Sequence, residues 1–264
     1  MPPAAHGLSV LLRGLGHEPV ALLCSREHAS RYGNEFERLV RDAPEDLDVV
    51  IPATRQGIAP LLRRYEPDLV LCLGFPWKIP PDALSVPRLG SVNGHPSLLP
   101  RHRGPNPVAW AIRNGETEIG FTLHRMDAGL DTGNILAQTP VPLDDEHSWA
   151  ELEPKMVSLV GDLLPVALAR VEQGDPGDPQ LGEGSYDPLF EPQYRWIDWA
   201  KPAEEVYRQV RAWRFASGSD AERGALTVLD GETVRVLRVS SEPTEGRALE
   251  CADGTLWIVE SEAA

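Results

Sequence analysis

The chain has little of what would tie it to a membrane or to an oxidising compartment. Its 264 residues include only three cysteines, Cys24, Cys72 and Cys251, which are odd in number and far apart. Two of them lie inside apolar runs, which favours small buried side chains over disulfides. No apolar run approaches the ~18 residues of a membrane span, and the first residues lack the basic and apolar pattern of a secretory signal. These absences predict a reducing, cytoplasmic setting.

Positive charge is also scarce. The 25 Lys and Arg residues face 40 Asp and Glu residues, which gives a formal net charge of −15. Such a balance repels a polyanion unless the positive charges gather on one face. The histidines lack Cys or carboxylate partners at metal-ligand spacing, and no glycine-rich phosphate loop follows a strand pattern. We therefore expect neither a bound metal nor a dinucleotide.

Alternation of short apolar runs with helical patterns fills the first two thirds of the chain. Continuous apolar runs are typical of strands covered on both faces, so the pattern predicts an α/β fold with a parallel-rich sheet and helices on both sides. Helices are predicted over residues 37–42, 57–65, 107–114 and, with apolar side chains every three or four residues, 146–172. The strand runs are residues 19–24, 47–51, 68–73, 89–92, 119–123 and 134–137.

The composition changes after the long helix. Residues 173–193 are rich in Gly, Pro and Asp, which predicts a crossing between domains rather than a regular element. We expect a larger domain over residues 1–180 and a small β-rich domain over residues 181–264. The second is predicted to begin with a helix over residues 202–215, followed by strands that turn at Asp230-Gly231 and Asp253-Gly254. These strands are residues 225–229, 233–239, 248–251 and 255–259.

The amino-terminal region departs from the usual order of a doubly wound sheet. A helix is predicted directly before the strand run at residues 19–24, whereas such a sheet normally opens with a strand that takes a central place. Either the natural chain begins further upstream or this place is filled differently, and the sequence leaves both possibilities open.

Chemically active side chains follow the strand run at residues 89–92. Asn93 and His95 fall at the carboxyl end of this run, where open α/β sheets bind their ligands. Asn93 offers an amide donor for an oxyanion, and His95 can exchange a proton near neutral pH, as acyl transfer requires. A carboxylate on another strand-end loop would orient the imidazole, and residues 124–133 supply Asp127 and Asp131. Taken alone, His95 could instead satisfy backbone groups, and Asp131 could simply form a turn.

The combination of these residues resembles a known family. Residues 93–104, NGHPSLLPRHRG, followed by Asp131-Thr132-Gly133, resemble the 10-formyltetrahydrofolate-dependent formyltransferases, and the resemblance extends over residues 7–171. Residues 196–213 are similar to the start of the carboxyl-terminal domain of methionyl-tRNA formyltransferases and their sugar-directed relatives. The resemblance implies a Rossmann-like formyltransferase domain over residues 1–180 and a shortened OB-like domain over residues 181–264.

The same resemblance implies a one-carbon transferase that moves a formyl group from its co-substrate, 10-formyltetrahydrofolate, to a primary amine. It implies that Asn93 stabilises the oxyanion, that His95 transfers a proton and that Asp131 orients His95. The turn at residues 97–100 and Arg103 would brace the loop. Residues 74–80, GFPWKIP, resemble the pterin-binding loop of the family. The implied folate-binding residues are Phe75, Trp77, Ile79, Asp127, Ala128, Gly129 and Leu130.

Features of the sequence point in two directions for the acceptor amine. tRNA-directed relatives carry a long basic insertion after the second strand, whereas residues 25–47 are short and mixed in charge. Together with the negative net charge, this favours a small amine, such as an aminosugar or an amino acid derivative, over tRNA. Basic residues near the second domain argue the other way, although helical spacing favours a solvated face. They are Arg195, Lys201, Arg208, Arg211 and Arg214.

Other functions fit parts of the same pattern. A methionyl-tRNA formyltransferase is the first alternative, and a formyltetrahydrofolate hydrolase, in which water replaces the amine, is the second. A folate- or amine-binding protein without catalysis is a third. His102 and His124 are further candidates for lining the pocket. The oligomeric state is left open.

Overall fold

The computed structural model describes residues 5–25, 34–143, 149–216 and 223–264. In the amino-terminal part, helices and strands alternate as the sequence predicts. The elements are α1 Ala5–Gly14, β1 Ala21–Leu23, α2 Asn34–Arg41, β2 Asp48–Val50, α3 Ile58–Tyr65, β3 Val70–Leu73, α4 Pro81–Leu84, β4 Ser91–His95, α5 Pro107–Asn114, β5 Glu118–Arg125, β6 Ile135–Pro142 and α6 Trp149–Glu172.

The main sheet of this part has the strand order β3-β4-β5-β6. β3 and β4 run parallel, whereas β5 is antiparallel to both β4 and β6. Only the loop at residues 126–134 joins β5 to β6, and a parallel pair needs a crossover of a dozen or more residues. The predicted α/β class is confirmed, but this half of the sheet is antiparallel where parallel strands were expected.

β1 and β2 form a separate parallel pair. An apolar cavity of about 380 Å³ is lined by residues of both β1 and β3, and Leu8 and Leu12 of α1 and Leu62 of α3 add to its walls. Within the described ranges, no strand pairs with β1 on one side and β3 on the other. This cavity therefore lies where a doubly wound sheet normally has its first strand, at the centre of the sheet.

β4 is longer than the sequence predicts. The apolar run ends at Val92, but β4 continues to His95, because Asn93 and Gly94 pair with both β3 and β5 and His95 pairs with β5. Gly94 is essential to this pairing, since a Cβ there would lie 2.5 Å from Leu73 and 2.8 Å from Phe121. The polar residues of the site therefore lie within the strand, not after it.

The long helix α6 covers one face of the sheet. Its apolar stripe is buried against β5 and β6, as its periodicity predicts; residues 146–148 of the predicted helix lie outside the described residues. None of the described helices has the length and hydropathy needed to cross a membrane. The buried stripe is Leu152, Met156, Val160, Leu164, Ala167, Leu168 and Val171.

The carboxyl-terminal part consists of one helix and an antiparallel sheet in the order β7-β8-β10-β9. Asp230 and Gly231, with φ of 53° and 86°, form the predicted turn between β7 and β8. The strands β8 and β10 extend beyond their predicted bounds. The elements are α7 Ala203–Phe215, β7 Ala225–Leu229, β8 Glu232–Ser240, β9 Arg247–Glu250 and β10 Thr255–Ala263.

The two parts share one hydrophobic core. α7 packs on α5, and the ring of Phe190 lies 5.4 Å from Trp110 and 5.3 Å from Trp213. The guanidinium of Arg113 stacks 3.9 Å from the ring of Tyr194. Burial of these aromatic rings fixes the carboxyl-terminal part against α5, next to the loop that follows β4.

Residues 173–191 run along the amino-terminal part without forming a helix or a strand beyond isolated bridges. The amide of Asp187 donates to the carbonyl of Arg103 at 2.6 Å, and the amide of Arg103 donates to the carbonyl of Ser185 at 3.0 Å. The segment predicted as a crossing between domains is therefore hydrogen-bonded to the loop that follows β4.

Candidate active site

The three predicted catalytic side chains converge. Asn93 and His95 are two residues apart on β4 and so share one face of the strand, and Asp131 lies on the loop between β5 and β6. Asn93 Nδ2 lies 3.3 Å from Asp131 Oδ1, and His95 Nδ1 lies 3.7 Å from Asp131 Oδ2. One carboxylate therefore faces both the amide and the imidazole.

The hydrogen bonds of His95 identify its basic nitrogen. Its Nε2 lies 2.7 Å from the carbonyl oxygen of His102, and because a carbonyl can only accept, the proton belongs on Nε2. Nδ1 is then the unprotonated nitrogen, and it faces Asp131. Burial lowers the pKa of His95 below its ordinary value, although Asp131 and the His102 carbonyl raise it. His95 is therefore neutral and basic at Nδ1 near pH 7.

Asp131 is held in an unusual backbone conformation, with a φ of 55°. Asp tolerates this left-handed region better than most residues. Oδ2 accepts a hydrogen bond from the Gly104 amide at 2.9 Å. Burial alone would raise the pKa of Asp131, but His124, His95 and the Gly104 amide outweigh burial and lower this pKa to about 2. The carboxylate is therefore charged near pH 7, where His95 is neutral.

The two aspartates of the loop have different roles. Asp127 Oδ1 accepts hydrogen bonds from the Gly129 amide at 2.9 Å and from Thr132 Oγ1 at 2.6 Å, as a turn-forming aspartate does. The side chain of Asp131 instead reaches Asn93 and Gly104, which are distant in sequence. Asp127 forms the turn, and Asp131 points to the predicted catalytic residues.

A cavity of about 370 Å³ adjoins Asn93, His95 and Asp131. The rings of Phe75 and Trp77 meet edge to face at 5.9 Å. Because Trp77 is only 9% exposed, its ring forms part of the cavity wall and does not lie on the protein surface. Six of the seven predicted folate-binding residues line the cavity, and Ala128 does not. The six are Phe75, Trp77, Ile79, Asp127, Gly129 and Leu130.

Gln180 connects the Asp131 loop to Arg103. Its Nε2 donates to the carbonyls of Asp131 and Gly133, each at 2.8 Å. Its Oε1 accepts from Arg103 Nε at 3.0 Å and from Arg103 Nη2 at 2.6 Å. Arg103 therefore braces the loop through Gln180. No periodicity singles out Gln180, because it lies in the Gly- and Pro-rich segment.

The predicted turn at residues 97–100 is also held by polar contacts. Ser97 Oγ donates to the Arg101 carbonyl at 2.9 Å, and Thr122 Oγ1 donates to the Ser97 carbonyl at 2.6 Å. Gln138 Nε2 donates to the Leu99 carbonyl at 3.0 Å. These contacts attach the turn to β5 and β6 and thereby fix the path of the backbone after His95.

His102 and His124 were both expected as lining candidates, and only His124 lines the cavity. His102 does not line the cavity. Its Nδ1 lies 2.5 Å from Asp187 Oδ2 and its Nε2 lies 2.8 Å from Glu116 Oε1. Burial lowers the pKa of His102, but the two carboxylates outweigh burial and raise it above the ordinary value of 6.5. The ring of His102, held between the two carboxylates, anchors the residue whose carbonyl orients His95.

We expect His102→Gln to reduce the free energy of unfolding by about 3 kcal/mol at pH 6, because breaking a buried pair leaves carboxylates without a counter-charge. The folded-state pKa of His102 is raised. Its ion pairs are therefore complete below pH 6.5 and are lost as pH rises through the raised pKa. Urea unfolding at pH 6 and pH 9 measures the difference.

The matched control is His17→Gln, because the side chain of His17 is 28% exposed and lies 3.7 Å from Glu172. This substitution should change the unfolding free energy by less than about 0.5 kcal/mol at either pH. A His102→Gln effect that is equal at both pH values would contradict the ion-paired state of His102.

Comparison with known proteins places this chain in a family. Residues 45–168 match the model described as Formyl transferase, and residues 190–264 match the model described as Formyl transferase, C-terminal domain. The chain belongs to the formyltransferase family, as the motif at residues 93–104 predicted. Among the described residues, no group of three or more His, Cys, Asp or Glu side chains could hold a metal ion.

A methionyl-tRNA formyltransferase of Pelobacter propionicus is 36% identical over 217 residues, which cover 77% of this chain and 66% of that protein. The chain spans between 51% and 67% of the length of eight methionyl-tRNA formyltransferases that it matches.

Solved structures share the fold at lower sequence identity. The structure of HypX from Aquifex aeolicus in complex with tetrahydrofolic acid matches with a TM-score of 0.69 and 23% identity, covering 92% of this chain and 44% of that one. The sugar 3N-formyl transferase WlaRD, solved in the presence of dTDP and 5-N-formyl-THF, matches with a TM-score of 0.65 and 18% identity, covering 97% and 93%.

Proposed function

We propose that this protein transfers the formyl group of 10-formyltetrahydrofolate to a primary amine. The observation that carries this proposal is the meeting of the Asn93 amide, the His95 imidazole and the Asp131 carboxylate beside one cavity of about 370 Å³. A hydrogen-bond donor, a neutral base and a fixed anion are the groups that attack on a formyl carbon requires.

The reaction can be followed from these groups. The amine nitrogen bonds to the formyl carbon, and the developing oxyanion accepts a hydrogen bond from Asn93 Nδ2. His95 Nδ1 takes the proton that the amine loses, and Asp131, 3.7 Å away, stabilises the imidazolium. The bond from the formyl carbon to the folate N10 then breaks, and N10 recovers the proton from His95. The products are the formamide and tetrahydrofolate.

The donor is inferred from the cavity wall and the structural neighbours. Phe75 and Trp77 offer apolar faces to a flat ring, and the loop that carries them follows β3 at the edge where α/β sheets bind ligands. HypX was solved with tetrahydrofolic acid, and WlaRD was solved in the presence of 5-N-formyl-THF. A formyl-folate in this cavity fits both observations.

The first candidate acceptor is the amino group of methionyl-tRNA. A relative of that name from Coprothermobacter proteolyticus is 38% identical over 173 residues, and such matches do not support the expectation that tRNA is disfavoured. Of the five basic residues considered in the sequence, Arg214 lines the cavity. Lys201 and Arg208 instead form ion pairs with glutamates one helical turn away. Arg214 offers a cation to a phosphate at the mouth of the site.

A small amine is the second candidate acceptor. The net charge of −15 opposes a large polyanion, and the sugar 3N-formyl transferase shares the fold over 97% of this chain. An aminosugar joined to a nucleotide would also present a phosphate to Arg214.

Tetrahydrofolate release from 10-formyltetrahydrofolate tests these functions. The purified protein is incubated with the donor alone, with initiator methionyl-tRNA, and with a panel of aminosugars and amino acid derivatives. Release only with the tRNA identifies the first acceptor, and release only with a small amine identifies the second. Release with the donor alone identifies a hydrolase, and no release in any arm contradicts the transfer reaction.

A further inference from the structure

His124 is a buried histidine that the proposed reaction does not use. It is 2% exposed and lies on β5 directly opposite Asn93 on β4. Its Nδ1 lies 2.8 Å from the carbonyl oxygen of Arg125. Since that carbonyl can only accept, the proton of the neutral imidazole belongs on Nδ1. In this neutral form Nε2 is an acceptor, which lies 3.5 Å from Asp131 Oδ1; only a protonated ring could also donate to Asp131.

The Asn93 amide lies between two acceptors. Its Nδ2 lies 3.1 Å from His124 Nε2 and 3.3 Å from Asp131 Oδ1. A primary amide has two N–H bonds, so both are engaged. If the Asn93 amide were turned by 180°, its oxygen would face the unprotonated His124 Nε2 and the Asp131 carboxylate, which are both acceptors. The orientation of the Asn93 amide is therefore set by His124 and Asp131 together.

We propose that His124 is a positioning residue for formyl transfer, acting through Asn93. His124 holds one N–H of Asn93, which leaves the second N–H, shared with Asp131 in this structure, for the formyl oxygen as that oxygen becomes negative. Without an acceptor at position 124, the amide can rotate and present its oxygen to the substrate. This role rests on the proposed function and extends the site to a residue of β5.

Two substitutions of His124 separate this role from simple packing. His124→Leu removes the acceptor and keeps a buried apolar volume, and we expect it to lower kcat about 10- to 100-fold with the KM for formyl-folate changed less than twofold. His124→Gln retains an amide oxygen as acceptor and should recover most of the loss. The control, Leu123→Met, changes the neighbouring buried side chain of β5 at nearly constant volume and should leave kcat unchanged.

The coupling between the two residues is measured in a double-mutant cycle. If His124 acts through Asn93, His124→Leu should have no further effect on kcat in a chain that already carries Asn93→Ala. An equal reduction in both backgrounds, or a His124→Leu protein with wild-type kcat, would overturn the proposal.

A second measurement does not depend on turnover. The side-chain amide resonances of Asn93 are identified in ¹⁵N-labelled protein as the pair missing from Asn93→Ala. His124→Leu should shift this pair and accelerate its hydrogen exchange, whereas Leu123→Met should not. If no acceptor supports turnover yet the amide responds, formyl transfer is wrong and the positioning of Asn93 stands. Unchanged resonances in His124→Leu would refute the positioning.

Discussion

Asn93→Ala should lower kcat for formyl transfer about 10²- to 10³-fold, which is the usual effect of removing one oxyanion donor. The hydrogen bond to the oxyanion is made in the transition state, so kcat and kcat/KM should fall together and the KM for formyl-folate should change little. Steady-state kinetics of tetrahydrofolate release, with whichever candidate acceptor supports release, measures both constants.

The control for this substitution is Asn114→Ala, at the exposed end of α5. It removes the same amide far from the cavity and should leave kcat within twofold of wild type. Circular dichroism and urea unfolding should show that Asn93→Ala keeps the fold. A variant at position 93 that retains more than about a tenth of wild-type kcat would remove Asn93 from the oxyanion site.

Asp131→Asn should lower kcat by at least about 10²-fold, because it removes the charge that stabilises the His95 imidazolium while keeping the shape of the side chain. Asn also tolerates the left-handed backbone at this position, where φ is 55°. The remaining amide oxygen can still accept from the Gly104 amide. The loss should therefore come from the charge and not from a rearranged loop.

The pH dependence of kcat/KM gives a second signature of the same pair. His95 must be neutral to act as a base, so activity should rise with pH, and its midpoint should lie below 6.5 because burial lowers the pKa of His95. The Asp131 charge raises this pKa, so Asp131→Asn should move the midpoint further down. Asp82→Asn, on the exposed surface, is the matched control. A wild-type midpoint above 6.5 would contradict the buried base.

The sequence predicted which side chains converge at the candidate site better than it predicted their surroundings. Asn93, His95 and Asp131 stood out because each carries a reactive group at a strand end within a recognisable motif. Hydropathy alone ended β4 too early, because Asn93 and His95 are polar residues in strand conformation. The antiparallel direction of β5 could not be predicted, because it depends on how α5 returns the chain to the sheet and not on the residues of the strand itself.

The residues that support the site could not be predicted from sequence patterns. Gln180 contacts the carbonyl of Asp131 across 49 positions of sequence, and Asp187 contacts His102 across 85. Both lie in a stretch without periodicity, where composition indicates only an irregular path. His124 was predicted as a lining residue, but its contact with Asn93 depends on the register between β4 and β5, which the residues of either strand do not encode by themselves.

The irregular stretch at residues 173–191 limits where the two halves of the protein can be separated or exchanged. Because Gln180, Ser185 and Asp187 all contact the loops that carry the reactive groups, a fragment ending at residue 180 would retain the catalytic side chains and lose two of these three anchors. Exchange of the carboxyl-terminal half between relatives should therefore keep residues 180–187 with the amino-terminal half, so that the loops after β4 and β5 keep these hydrogen-bond partners.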